Sequence, residues 1–349
     1  MPDPDNERPR VSDDISAQLS ALTQRLDEVL REVGDQREQL TRLARAYSVD
    51  AEQLDRVRSV AEVWDKPAIA AHVRDVVAAT PVLTDPFPHL VLDPLLPPGA
   101  FQVLLDAVPP EDFFEGEKHL DLRGIGLAAT IVPLFSKAIW RSLRSDIIGR
   151  VLGPALADRF RPCAREYLRL SVGQEFVEEA LALPLHPHGL RLMLRRRGWS
   201  LPPHCDPRDQ FISTLLYLAS PGEAENFGTQ LFRVHQENFV PGWANTYYPE
   251  DEGLRCELAK TMPYRGNLCL SFLNLGGGAH GAAVPEDAQP ADLRRLVFQF
   301  YMGPDREALE ALVDRLPAER QIAWKRRVKN KDRRAMRAAA AASAGAPGA

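Results

Sequence analysis

The stretch Pro202-Pro203-His204-Cys205-Asp206, read together with Gly278-Ala279-His280-Gly281, decides how the rest of the chain is understood. His204 and Asp206 are two positions apart, and on an extended strand that spacing puts both side chains on one face. An imidazole and a carboxylate on one face, joined by a second imidazole from a later strand, form a set of two histidines and one carboxylate. Such a set holds Fe(II) from one side and leaves the opposite coordination positions open. A His-x-Asp tripeptide alone is a weak signal in a chain with 8 His and 48 acidic residues. Its surroundings strengthen it.

On both sides lie short β-rich runs punctuated by glycine and proline: 190–195, 211–218, 228–234, 265–273 and 293–301. This pattern predicts a sandwich or jelly-roll barrel. In the last run neighbouring residues point to opposite faces. Arg294 shares its face with Leu296, Phe298 and Phe300, an apolar set suited to packing under helices. Arg295 shares its face with Val297, Gln299 and Tyr301, a mixed set suited to a pocket holding a charged ligand. Arg295 is therefore predicted to enter the barrel in preference to Arg294.

Other candidates are weaker. Gly276-Gly277-Gly278 lacks the Lys-Ser/Thr and the helix of a phosphate loop, and more simply lets backbone approach the site. His186-Pro187-His188 has metal-compatible spacing but reads as a surface loop, while His72, His89, His119 and His235 have no partner at useful spacing. Trp199, Tyr217 and Trp243 line a pocket or pack in the core; Thr229 and Gln230 are candidates to face a bound cosubstrate. Cys205 is expected inside the site, without a disulfide.

The flanks differ from this β-rich body. Residues 1–12 are polar and proline-bearing and are expected to be disordered. Residues 13–80 read as a helical extension. In it Ile15, Leu19, Leu22, Leu26, Val29, Val33, Leu40, Leu43 and Tyr47 recur at alternating spacings of four and three, with Gln36 filling the gap. That seam predicts a coiled coil, and hence a homo-oligomer through residues 15–47, or an amphipathic helix folded back on the body. Gly34 and Gln36 weaken its middle. Asp50 is placed to cap a second helix, and Pro67 to start a third ending near Ala79. Residues 97–108 and 133–160 are predicted helices covering one sheet, and 161–177 carry mixed signals. After a body spanning 81–303, residues 304–349 comprise a helix over Glu307–Leu316, the basic run Trp324–Arg334 and an alanine-rich end expected to be disordered.

At 349 residues, 45% hydrophobic and 26% charged, the composition is that of a globular protein large enough for a core with extensions. A net charge of −5 gives no whole-protein signal for nucleic acid. The 4 cysteines lack metal-type spacing, no apolar leader opens the chain, and no run approaches a membrane span. The reduced cytoplasm is the expected location.

The order His-x-Asp, distal His, then Arg on the last strand resembles the Fe(II)- and 2-oxoglutarate-dependent dioxygenases, and most nearly the prolyl 4-hydroxylase-like branch. Phe87–Pro97 resembles the opening strand and turn of that branch. The resemblance implies a mostly β core with flanking helices, a double-stranded β-helix (jelly roll, cupin-like). It implies Fe(II) held by His204, Asp206 and His280, and 2-oxoglutarate anchored by Arg295. Dioxygen would be the oxidant and ascorbate a reductant. The expected outcome is succinate, CO2 and oxygenation of an unactivated C–H bond in a peptidyl or small-molecule substrate. Related halogenating enzymes have a small residue in place of the carboxylate, so Asp206 points to hydroxylation or desaturation. Two departures are visible: 193–196 hold no tyrosine, and the last strand carries Arg294 and Arg295 where the branch often has lysine. The alternatives are a non-catalytic binding or assembly module on the same barrel, and a cupin-like metalloenzyme that uses no 2-oxoacid.

Overall fold

The architecture is known from a computed structural model, which describes residues 8–47, 51–60, 63–223, 225–236 and 245–325. Among these residues, ten strands form two antiparallel sheets. Strands β1 (His89–Leu92), β2 (Leu120–Arg123), β3 (Leu185–Arg195), β5 (Ile212–Tyr217), β8 (Cys269–Leu273) and β10 (Arg295–Pro304) make a six-stranded sheet in the order β1-β8-β5-β10-β3-β2. Strands β4 (Trp199–His204), β6 (Gln230–Val234), β7 (Cys256–Thr261) and β9 (His280–Val284) make a four-stranded sheet in the order β4-β9-β6-β7. A cavity lined from both sheets lies between them. This is a double-stranded β-helix with flanking helices.

Strand alternation separates two cores. On β10, Leu296, Phe298, Phe300 and Met302 join a helix-facing core, whereas Val297 packs inside the barrel with Met193, Leu215, Tyr217, Leu270 and Phe272. The helices covering the large sheet are α3 (Lys66–Ala79), α4 (Pro98–Asp106), α5 (Leu134–Ser142) and α6 (Gly153–Ser171), with Leu143–Leu152 π-helical between the last two. Trp140 anchors this layer: its ring lies 4.9 Å from that of Phe298, and its indole N–H donates to the Ala107 carbonyl at 2.8 Å. Burying an aromatic side chain of this size contributes roughly 1.5–3 kcal/mol.

Several boundaries differ from the sequence reading. The helix expected to end at 160 continues to Ser171, with Pro162 inside it, because Leu156, Phe160, Ala164 and Leu168 keep one buried face. After Gln174–Phe176, the short helix α7 (Val177–Ala182) follows. Strands β2 and β7 were not anticipated: they are edge strands of four and six residues with polar positions, so they lack the apolar run that marks the others.

At the N-terminus, α1 (Arg8–Tyr47) is one 40-residue helix beginning within the segment expected to be disordered; a proline in the first helical turn is tolerated there. It runs through Gly34 without a break. Leu19, Leu22, Leu26, Val33 and Leu40 are 55–66% exposed, so the seam from Leu19 to Leu40 does not pack against the body, whereas Ala46 near its end joins the core. Helix α2 (Ala51–Ser59) follows, Asp50 lying outside the described residues. Asp65 caps α3 by accepting from the Ala68 amide. At the other end, α8 (Arg306–Val313) and α9 (Ala318–Lys325) close the described chain; the basic run beyond Lys325 and the alanine-rich end lie outside it. No helix among the described residues is long and apolar enough to cross a membrane.

Candidate active site

Strands β4 and β9 pair so that His204 and His280 lie opposite one another, and Asp206 enters from the turn that follows β4. The two imidazole centroids are 4.2 Å apart. Asp206 Oδ1 is 3.8 Å from His204 Nε2, and Oδ2 is 3.6 Å from His280 Nε2. One ligand atom from each of the three lies within 4.8 Å of the others, and all three residues are buried. The turn before β9 needs Gly277, whose φ is 74°, and β9 packs so closely on β4 that a Cβ at Gly281 would sit 2.6 Å from the Leu201 carbonyl oxygen.

Hydrogen bonds fix which atoms face the centre. His204 Nδ1 is 3.0 Å from the Pro202 carbonyl, and His280 Nδ1 is 3.0 Å from the Gly278 carbonyl. With Nδ1–H donating to a carbonyl, each Nε2 presents its lone pair inward, the arrangement of a metal-ligating histidine. Burial, and next the neighbouring His280, pull the His204 pKa down to about 3, which keeps the ring a neutral donor. Asp206 Oδ2 accepts from the Ser213 hydroxyl at 2.7 Å, and the Tyr301 hydroxyl is 3.5 Å from Oδ1. The Asn274 amide nitrogen lies 2.9, 2.8 and 3.0 Å from the carbonyl oxygens of Asp206, Pro207 and Gln210. Two imidazoles and one carboxyl group converging on one point suit Fe(II), with room on the cavity side for further ligands.

The cavity beside this centre measures about 720 Å³ and is also lined by Arg295. Arg295 is 2% exposed. Its Nε donates to the Phe227 carbonyl at 2.5 Å and its Nη2 to Thr229 Oγ1 at 3.3 Å. The rings of Tyr217, Tyr264 and Trp199 surround the guanidinium at 5.7, 5.7 and 5.9 Å. No carboxylate among the described residues pairs with it, and burial lowers its pKa. A buried cation without a counter-ion is costly unless an anion joins it. Arg294, one residue earlier, lies outside the barrel and pairs with Glu111 at 2.9 Å.

Among the weaker candidates, Thr229 and Trp199 line the cavity, while Tyr217 lies behind it and accepts the Thr229 amide proton at 3.0 Å. Gln230 does not line the cavity, and Trp243 lies outside the described residues. His186 and His188 are on β3, not in a loop; His188 lines the cavity 5.9 Å from the Tyr301 ring but is not part of the ligand cluster. Cys205 does not sit in the site. Strand alternation turns it away from its two neighbours, to pack with Tyr247 and Ala279. Ser213 and Asn274 escaped the sequence reading, and Tyr301, expected on the pocket face, had no role assigned to it. Each acts through Asp206 or its turn, and none carries a motif of its own.

No family profile and no curated relative matches the chain. Solved structures similar to it include a prolyl hydroxylase from Trichoplax adhaerens in complex with a hypoxia inducible factor oxygen degradation domain peptide fragment, at 10% identity over 72% of this chain and 96% of that one, TM-score 0.35. HygX from Streptomyces hygroscopicus, with nickel, 2-oxoglutarate and hygromycin B bound, is 15% identical over 62% of this chain and 83% of its own, TM-score 0.36. A 2OG-Fe(II) oxygenase family oxidoreductase from Burkholderia pseudomallei is 12% identical over 68% of this chain and 89% of its own, TM-score 0.35.

Proposed function

We propose that this chain is an Fe(II)- and 2-oxoglutarate-dependent oxygenase that hydroxylates an unactivated C–H bond. One observation carries the reading: one cavity holds a convergent His204–Asp206–His280 donor set together with Arg295, a buried arginine with no carboxylate partner among the described residues. His204, Asp206 and His280 would hold Fe(II), which when bound supplies the dioxygen chemistry that couples decarboxylation of 2-oxoglutarate to C–H oxygenation.

The remaining work falls to the chain itself. Ser213 and Tyr301 orient the Asp206 carboxylate, and the two backbone carbonyls set the histidine tautomers. Arg295, braced by the Phe227 carbonyl and Thr229, presents its guanidinium for the distal carboxylate of the 2-oxoacid, a charge-assisted contact strengthened by burial. Trp199, Leu215 and Met193 along the wall exclude water from the reacting centre.

A second part of the proposal concerns α1. Its exposed seam pairs with that of another copy, giving a homo-oligomer through residues 15–47. The catalytic reading is tested by incubating the protein with Fe(II), 2-oxoglutarate, ascorbate and air and measuring succinate. Succinate that requires Fe(II) and disappears in Asp206→Ala supports it. Its absence, with Fe(II) and 2-oxoglutarate both bound, points to a binding module instead.

A further inference from the structure

Five arginines line the cavity, Arg123, Arg144, Arg191, Arg195 and Arg295, against one carboxylate among the described lining residues, Asp206. Two of the five are accounted for. Arg195 is paired with Asp121 at 2.6 Å, and Arg295 is the cosubstrate anchor proposed above. The other three have no acidic partner among the described residues. Arg191 donates through Nε to the neutral Gln299 side chain at 2.6 Å and also meets the neutral Tyr301 hydroxyl. Arg144 has a buried Nε with no hydrogen-bond acceptor. Arg123 and Arg191 are direct partners across the β2–β3 pair, so two like charges face each other on the cavity side.

Like charges directly opposite across strands are destabilising, and the one acid on the two strands, Asp121, is already paired with Arg195. Elsewhere this protein does supply such partners: Arg196 and Arg294 share Glu111, and Arg265 reaches both Asp93 and Glu225. The loaded centre would not supply the missing charge. A divalent cation, its single carboxylate ligand, a dianionic 2-oxoacid and Arg295 sum to zero, so Arg123, Arg144 and Arg191 remain unneutralised at the cavity wall.

We infer that these three arginines form an oxyanion pocket that selects an acidic substrate, one carrying a carboxylate or phosphate group, and holds it while a nearby C–H bond faces the metal centre. The inference rests on the oxygenase reading. Guanidinium forks suit both anions, and binding them relieves the opposition of Arg123 and Arg191.

The test uses full-length protein loaded with Mn(II) and 2-oxoglutarate under nitrogen, followed by calorimetry. The probes are phenyl phosphate and benzoate, with neutral benzamide as control. Either or both anions should bind, and benzamide should bind at least about 10-fold more weakly. Arg123→Gln and Arg191→Gln should each weaken the anions by about 10-fold or more while leaving 2-oxoglutarate affinity nearly unchanged. In the unliganded protein Arg123→Gln should raise the thermal midpoint, whereas a merely structural arginine would lower it when replaced. Equal binding of benzamide and the anions, or anion affinities untouched in both variants, would overturn the inference while leaving the oxygenase reading intact. Failure of the parent protein to bind 2-oxoglutarate would instead strike at that reading. The relative affinities of the two anions separate a phosphorylated substrate from a carboxylic one.

Discussion

The side-chain amide of Asn274 donates to the backbone carbonyl of Asp206 at 2.9 Å, tying the β8–β9 connection that leads to His280 to the turn that carries the carboxylate. The same nitrogen reaches Pro207 and Gln210, so one buried side chain clamps the turn. Asn274→Ala leaves these carbonyls short of a donor, at a cost of about 1–3 kcal/mol. It should also weaken Fe(II) binding by roughly 10-fold, the usual scale for residues that support metal ligands. Thermal unfolding and Fe(II) titration under nitrogen check both. Unchanged metal affinity would mean that the turn holds its shape without the clamp.

The α1 seam makes a prediction about assembly. Leu19, Leu22, Leu26, Val29, Val33 and Leu40 are all about half exposed or more, an apolar stripe that a second helix would bury. Deleting residues 1–48 should reduce the mass measured by light scattering to that of a monomer, with metal binding retained. If the mass per particle of the parent already equals one chain, α1 is not an oligomerisation helix.

His89 gives a pH dependence. It is fully buried on β1, with Nδ1 2.8 Å from the Phe87 carbonyl and an unpartnered Nε2. Burial, the largest effect, lowers its pKa from the ordinary 6.5. The unfolded chain therefore binds a proton that the folded chain resists, so this contribution to stability is complete above about pH 6.5 and is lost as the pH falls below it. His89→Asn keeps a donor for the Phe87 carbonyl and removes the titration. Its thermal midpoint should fall less between about pH 7 and pH 5 than that of the parent. Parallel curves would show that His89 does not contribute to the acid sensitivity.

Much of this was legible in the sequence because strand alternation is strict where one face is buried. The period of two on 294–301 separates Arg295, in the cavity, from Arg294, on the outside with Glu111. By the same alternation Cys205, between His204 and Asp206, faces the other way and not into the site where it was expected. The partners of Asp206 were illegible for a different reason. Ser213, Asn274 and Tyr301 come from β5, the β8–β9 connection and β10, and only the closed barrel brings them to one carboxylate. The opposed pair Arg123–Arg191 was hidden likewise, since β2 carries no strand pattern of its own.

The central claim is that the His204–Asp206–His280 centre and Arg295 act as one site. Calorimetric titration of 2-oxoglutarate under nitrogen, with and without Fe(II), tests it most directly. Linkage requires that each ligand tighten the other by the same factor if both bind in contact. Fe(II) should therefore raise 2-oxoglutarate affinity in the parent, and His280→Ala should abolish that gain. Arg295→Ala should lose about 2–4 kcal/mol of 2-oxoglutarate binding, the scale for removing one partner of a buried charge pair. That is about 30-fold or more in Kd, with Fe(II) affinity little changed and Arg294→Ala without effect. If 2-oxoglutarate binds equally well with and without Fe(II), and Arg294→Ala harms it more than Arg295→Ala, the two halves of the cavity do not form one site and the account is wrong.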